Sequence, residues 1–172
     1  RFNQPINKLP QSLQSLKILC VGFNQALNDL PKIKNLEINS IKFNHNLEFL
    51  PSSIETLVIK CPKFDRQIHK LPETLKILNI ECLSFTQPQN NFPKTLMSLS
   101  LNCDTIMSIY IFPEFLQYLY ITGMTQISNS NNLPKSLKIL EIKNYRGNKF
   151  PLNDYPDMHL LTLNGIEIII KN

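Results

Sequence analysis

Four cysteines carry the strongest chemical signal in this 172-residue sequence. Cys20, Cys61, Cys82 and Cys103 each fall two residues after an aliphatic residue: Ile18, Ile59, Ile80 and Leu101. The last three are evenly spaced. If the surrounding segments stack as parallel strands about 4.8 Å apart, the thiols form a column. Three chemistries suit a column of thiols. They can pack as small buried groups, form a cross-strand disulfide between neighbours, or hold a metal as thiolates. Metal ligands must converge on a point, whereas a column spreads along an axis. Packing is therefore the preferred reading, and no metal or other cofactor is expected. Ser40, Gly123, Asn144 and Gly165 occupy the same slot elsewhere, as if it selects for small size. The three histidines, His45, His69 and His159, have no partner carboxylate at turn or helical spacing. No Ser/His/Asp grouping, glycine-rich phosphate loop or paired carboxylates stand out. An enzyme is not expected.

The elements that would position these residues repeat. Eight prolines recur once per unit, at Pro10, Pro31, Pro51, Pro72, Pro93, Pro113, Pro134 and Pro156. A period of roughly 20–22 residues is the signature of a solenoid. Apolar residues follow each proline at +3, +6 and +8, as in Leu75, Leu78 and Ile80 after Pro72. Units two and eight lose one residue and keep the order: Ile33, Leu36, Ile38 and Met158, Leu161, Leu163. The last two positions alternate inward and outward, as in a half-buried strand. Strands so far apart, all running in one sense, stack in parallel as one strand per coil with a right-handed path. The return half carries Phe2-Asn3, Phe23-Asn24, Phe43-Asn44 and Phe64-Asp65, each followed by an inward Ile or Leu. With Leu-Pro interrupting it, the return half is predicted to be extended or single-turn 3-10 structure. Its asparagines are expected to bond to backbone within a tight turn. The closing run Gly165 to Lys171 reads as a final strand and a cap.

Phe-Asn-Gln-Pro-Ile, followed by Leu-Pro-x-Ser-Leu-x-x-Leu-x-Ile, resembles the FNIP repeat, a short member of the leucine-rich-repeat class. The resemblance covers the whole chain. The opening pentad fits units one to three best and fades from unit five, whereas the Leu-Pro-to-strand half fits all eight. It implies a curved leucine-rich-repeat solenoid of about eight coils with a parallel sheet on the concave side. It also implies a source among amoebae or giant viruses of protists. FNIP-like arrays often accompany F-box or signalling modules, so the resemblance implies substrate recognition for a ubiquitin ligase or a signalling adaptor. The expected organisation is one domain over 1–172, a piece of a longer chain lacking its N-terminal cap.

Bulk composition agrees with a folded, non-membrane chain. Hydrophobic residues make up 42%, enough for a core. No run of 18 apolar residues is present, so no membrane span is expected, and the expected location is cytoplasmic. The net charge is +5, but the lysines are scattered. Nucleic acid is therefore not expected as a partner. Three outward columns should tile the sheet: Ser15 to Leu160, Lys17 to Thr162, and Leu19 to Asn164. Most of their members are polar. The exception is a patch of Tyr118 and Tyr120 with Ile139, Leu160 and Glu141. Tyrosine supplies area and a polar tip at binding surfaces. The function expected is protein binding through this face. The alternative is a scaffold or self-associating unit, stacking end to end through Phe2, Ile6 and Leu9 of the first coil.

Overall fold

A computed structural model of the chain describes residues 2–68, 70–86, 91–106, 111–123, 133–143, 150 and 152–170. Its strands are β1 (Ser15–Leu19), β2 (Asn35–Asn39), β3 (Thr56–Lys60), β4 (Ile77–Phe85), β5 (Ser98–Ile106), β6 (Tyr118–Ile121), β7 (Ile139–Ile142), β8 (Leu160–Leu163) and β9 (Ile166–Ile169). They form one nine-stranded sheet in sequence order. β1 to β8 are parallel and in register, with Leu16, Leu36, Leu57, Leu78, Leu99, Leu119, Leu140 and Leu161 in one row. The fold is therefore a leucine-rich-repeat-like solenoid. It amounts to about six turns, slightly fewer than the eight coils expected. Eight strands are joined by only seven return paths, and several of those run partly outside the described residues.

Each coil begins with a turn that the proline sets. In six coils the backbone N–H three residues after the proline donates to the proline carbonyl, as in Leu75 to Pro72 at 3.0 Å and Leu96 to Pro93 at 3.1 Å. In coil two, one residue shorter, the Ile33 N–H reaches the Pro31 carbonyl at 2.7 Å. The strand follows, and its inward Leu and Ile are fully enclosed in the middle coils. Leu57, Ile59, Leu78 and Ile80 are all 0% exposed. In the first coil Leu13 and Leu16 are only half-buried. Among the described residues nothing stacks on their outer side.

The return half is irregular, with one 3-10 turn at Leu152–Asp154 and no α-helix among the described residues. Its organising device is the phenylalanine column. Phe2, Phe23, Phe43, Phe64 and Phe85 stack with centroids 6.1–6.2 Å apart. The last four are wholly buried. The asparagines work differently from the expectation. Each reaches across to the next coil instead of bonding within its own turn. Asn3 Oδ1 accepts the Asn24 N–H at 2.7 Å, Asn24 Oδ1 that of Asn44 at 3.1 Å, and Asn44 Oδ1 that of Asp65 at 3.0 Å. Asp65 continues the series to Thr86 at 2.8 Å. Irregular backbone leaves this N–H without a backbone partner in coils two to five, and a short acceptor side chain at the 20–21-residue repeat satisfies it.

Two elements depart from the simple repeat. β4 and β5 are nine residues long, against four or five in the other strands, and pair onward through Cys82↔Cys103 to Phe85↔Ile106. In coils one and three, Gly22 and Pro62 follow the cysteine closely and end the strand. Here Leu83-Ser84-Phe85 and Asp104-Thr105-Ile106 contain no such breaker. The final strand, β9, pairs antiparallel to β8 and does not extend the parallel stack. Asn164 and Gly165 both have positive φ, 53° and 82°. This is the two-residue hairpin chemistry of an Asn-Gly pair.

Candidate functional site

Strand alternation sends every second residue of β1 to β8 away from the core. The register then fixes which outward residues become neighbours. The row ahead of the buried leucines runs Ile77, Ser98, Tyr118, Ile139, Leu160 and, across the hairpin, Ile169. The next row runs Ser100, Tyr120, Glu141, Thr162 and Glu167. All five sequence-derived candidates, Tyr118, Tyr120, Ile139, Leu160 and Glu141, thus lie together on β6 to β8. Tyr118 is 43% exposed and Ile169 66%, and the others are half-buried by their neighbours.

The electrostatics of the face change along the stack. On the early strands, ion pairs run from strand to strand: Lys17 to Glu37 at 2.8 Å and Lys60 to Glu81 at 3.1 Å. Just ahead of the strands, Glu55 lies between Lys34 at 3.6 Å and Lys76 at 2.7 Å. Lys76, and less so Lys34, holds the Glu55 carboxyl below its ordinary value. From β6 onward the first row is aromatic and aliphatic, while the second keeps Glu141, Thr162 and Glu167 beside Tyr120. Lys143 Nζ stands over the Tyr120 ring, 5.5 Å from its centroid, within cation–π range. Tyr120, with a smaller contribution from Glu141, pushes the Lys143 ammonium pKa up. On the same face Asn79 Oδ1 has no hydrogen-bond partner among the described residues.

Two outward columns need correction. Thr122 was expected on the open face, but it is buried and its hydroxyl lies 3.0 Å from Asn102 Oδ1 and 3.1 Å from the Cys103 carbonyl. The chain leaves the sheet at Gly123, whose φ is +76°, and this folds Thr122 inward. Row three is therefore interrupted at Thr122, while Lys143 and Asn164 beyond it are exposed. Sequence reasoning also missed that the apolar row extends from Leu160 to Ile169, because that contact exists only once β9 folds back.

The cysteine column resolves into three environments. Cys82 and Cys103 face each other, buried, with sulfurs 2.7 Å apart and both thiols free. Hydrogen bonding to Cys103, then burial, pushes the Cys82 thiol up. Cys61 is fully buried, hydrogen-bonds to the Ile38 carbonyl at 3.5 Å, and is pushed up to about 11 by burial. Cys20 is half-buried and donates to the Phe2 carbonyl at 3.0 Å. No group of three His, Cys, Asp or Glu side chains able to hold a metal occurs among the described residues. Small size explains part of the slot: Ser40 is 1% exposed, with its hydroxyl 2.7 Å from the Phe23 carbonyl. It does not explain Gly165, which has open space around it and is required by its positive φ. Asn144 and His69 lie outside the described residues. His45 Nε2 is 3.1 Å from the Asn24 carbonyl, and His159 is exposed.

No helix among the described residues is long and apolar enough to cross a membrane. Neither a protein-family profile nor a curated protein matches the chain. A solved structure does: the crystal structure of CroV588, described as a novel circular LRR protein structure. The likeness has 25% identity and a TM-score of 0.63, and covers 94% of this chain and 29% of that one. This chain therefore spans under a third of the length of that protein, and what they share is the leucine-rich-repeat architecture.

Proposed function

We propose that the chain is a protein-binding module that engages a partner through the outward sheet face of β6 to β8. The observation that carries this is the register that brings Tyr118, exposed, and Ile139 and Leu160, half-buried, into one outward row, with Tyr120 and Glu141 beside them. A parallel sheet in water has no structural need for such a row, since the early strands fill it with Ser15, Asn35 and Thr56. Exposed aromatic and aliphatic side chains grouped on a rigid sheet lose little entropy on docking. Burial of one tyrosine contributes about 2 kcal/mol.

The finer family reading is the FNIP repeat, supported by the Phe-Asn pentads and the Leu-Pro-x-Ser-Leu strand motif. Under it, the chain is a substrate-recognition domain of a ubiquitin ligase or signalling adaptor. The compartment proposed is the cytoplasm, where unpaired thiols are the rule.

Affinity capture from a cell lysate with wild type and with Tyr118→Asp/Tyr120→Asp tests the reading. Partners lost by at least about tenfold in the double variant, at an unchanged melting curve, support recognition on this face. Equal captures remove it. A second reading, end-to-end self-association, is favoured by Phe2, which ends the phenylalanine stack with its ring 49% exposed. A mass that rises with concentration in light scattering, and falls back in Phe2→Ser, would support that reading.

A further inference from the structure

Besides the sheet face, the proline edge of the solenoid carries a regular device with one break in it. In most full-length coils the second residue after the proline has a hydroxyl: Ser53, Thr74, Thr95 and Ser136. Each reaches back to the preceding coil. Thr74 Oγ1 lies 2.7 and 2.8 Å from the Ser52 and Ile54 carbonyl oxygens. Thr95 Oγ1 lies 2.6 and 2.9 Å from those of Glu73 and Leu75. Ser136 Oγ lies 2.7 Å from both Glu114 and Leu116. Ser53 donates to Ile33 at 2.8 Å. The member that should serve the Lys94 and Leu96 carbonyls is Phe115, which has nothing to donate. Among the described residues no other hydrogen bond reaches either carbonyl.

Phe115 instead stands 62% exposed next to Ile111, also 62% exposed, above Phe92 and Leu71. Together they line a groove of about 660 Å³. That volume admits two or three side chains. At its rim are the carboxylates of Glu73 and Glu114 and the single ammonium of Lys94. Two carboxylates, of which Glu73 Oε2 lies 3.4 Å from the Lys94 backbone N–H, and two carbonyls without a donor among the described residues outnumber that one cation. A bare ring where four other coils place a structural hydrogen bond costs the fold the bond and gains it no burial.

We propose that this groove binds a short basic peptide segment, with an aromatic or aliphatic side chain against Phe115 and Ile111. Flanking Lys or Arg side chains meet Glu73 and Glu114, and peptide N–H groups fill the Lys94 and Leu96 carbonyls. None of the sheet-face candidates lines the groove, so the inference stands apart from the function proposed above.

The test uses two pools of acetylated, amidated hexapeptides, each with a central Phe or Leu, one flanked by Lys and Arg and the other by Asp and Glu. Titration calorimetry with the whole chain should show binding of the basic pool only. Phe115→Ser should lower that affinity at least tenfold while raising the Tm by about 2–4 °C, because the hydroxyl series is then complete. Ile111→Ser should lose affinity without gaining Tm. Equal binding of both pools, no binding of the basic pool at millimolar peptide, undiminished affinity in both variants, or a lowered Tm for Phe115→Ser would each overturn the proposal.

Discussion

A cysteine in this solenoid is defined by what lies beside it in the adjacent coil. Cys20, Cys61, Cys82 and Cys103 share one repeat position, yet only Cys82 and Cys103 touch, because β4 and β5 alone stay paired past that point. All four thiols should react with a maleimide in denaturant without reductant; a count of two would mean that Cys82 and Cys103 are joined. In the native state Cys20 should label first. Cys61 forms its thiolate only as pH approaches about 11, so its native labelling should be slow at neutral pH and rise with alkali. Mass spectrometry of partly labelled protein checks the order. The column and its small occupants were legible in the sequence from spacing alone. The separation into one facing pair and two thiols bonded to carbonyls was not, since it depends on where each strand ends.

At the scale of elements, what ends a strand matters as much as what builds it. Gly123 takes the chain off β6 with φ +76°, and a Cβ there would sit 2.1 Å from the Cys103 carbonyl oxygen. Gly165 turns β8 into β9 with a similar φ of +82° but has nothing within 4 Å. Gly123→Ala should therefore cost more than Gly165→Ala. The second bears about 1 kcal/mol of backbone strain, and the first adds a clash with backbone that cannot swing away. Urea midpoints of the two variants measure the difference; equal midpoints would contradict the close approach at Gly123. Strand positions, their inward Leu and Ile, and the phenylalanine column all followed from period and alternation. The antiparallel return of β9 was missed although Asn164-Gly165 is a strong hairpin signal, because the repeat pattern was extended through it. The asparagine role was misjudged for a related reason. An Asn that bonds within its turn and one that bonds to the next coil have the same sequence spacing.

Over the whole molecule, each coil rests on its two neighbours, and stability is close to a sum of coil and interface terms. Leu78, 0% exposed in β4, lies between Leu57 and Leu99 in the leucine row. Leu78→Asp places a carboxylate among these side chains and should cost about 5 kcal/mol or more, comparable with the stability of a whole domain. Loss of cooperative melting by circular dichroism is the expected outcome. A soluble variant that melts cooperatively near the wild-type temperature would refute the register. A further division appears at this scale. The ion pairs lie on β1 to β4 and the apolar row on β6 to β9, so one continuous sheet presents two chemically distinct surfaces. Columns read from the sequence contained both, but their contiguity is a property of the stack.

The sequence by itself determined the architecture. A proline turn and a Leu-x-Ile strand repeated in phase leave only a stacked parallel sheet to bury the aliphatic residues, so periodicity and the demand for burial suffice. It also determined which residues face outward within the strands themselves, because a strand's side-chain period is two. The tertiary structure alone decided what happens where a repeat is broken. Whether Thr122 is open or buried, which thiols meet, and that Phe115 leaves two carbonyls without a donor among the described residues all depend on contacts between residues about 20 positions apart, and how β9 folds back beside Leu160 depends on the hairpin. Such contacts are set by where each backbone bends and what the adjacent coil offers there, and a single repeat carries no record of its neighbour's exceptions.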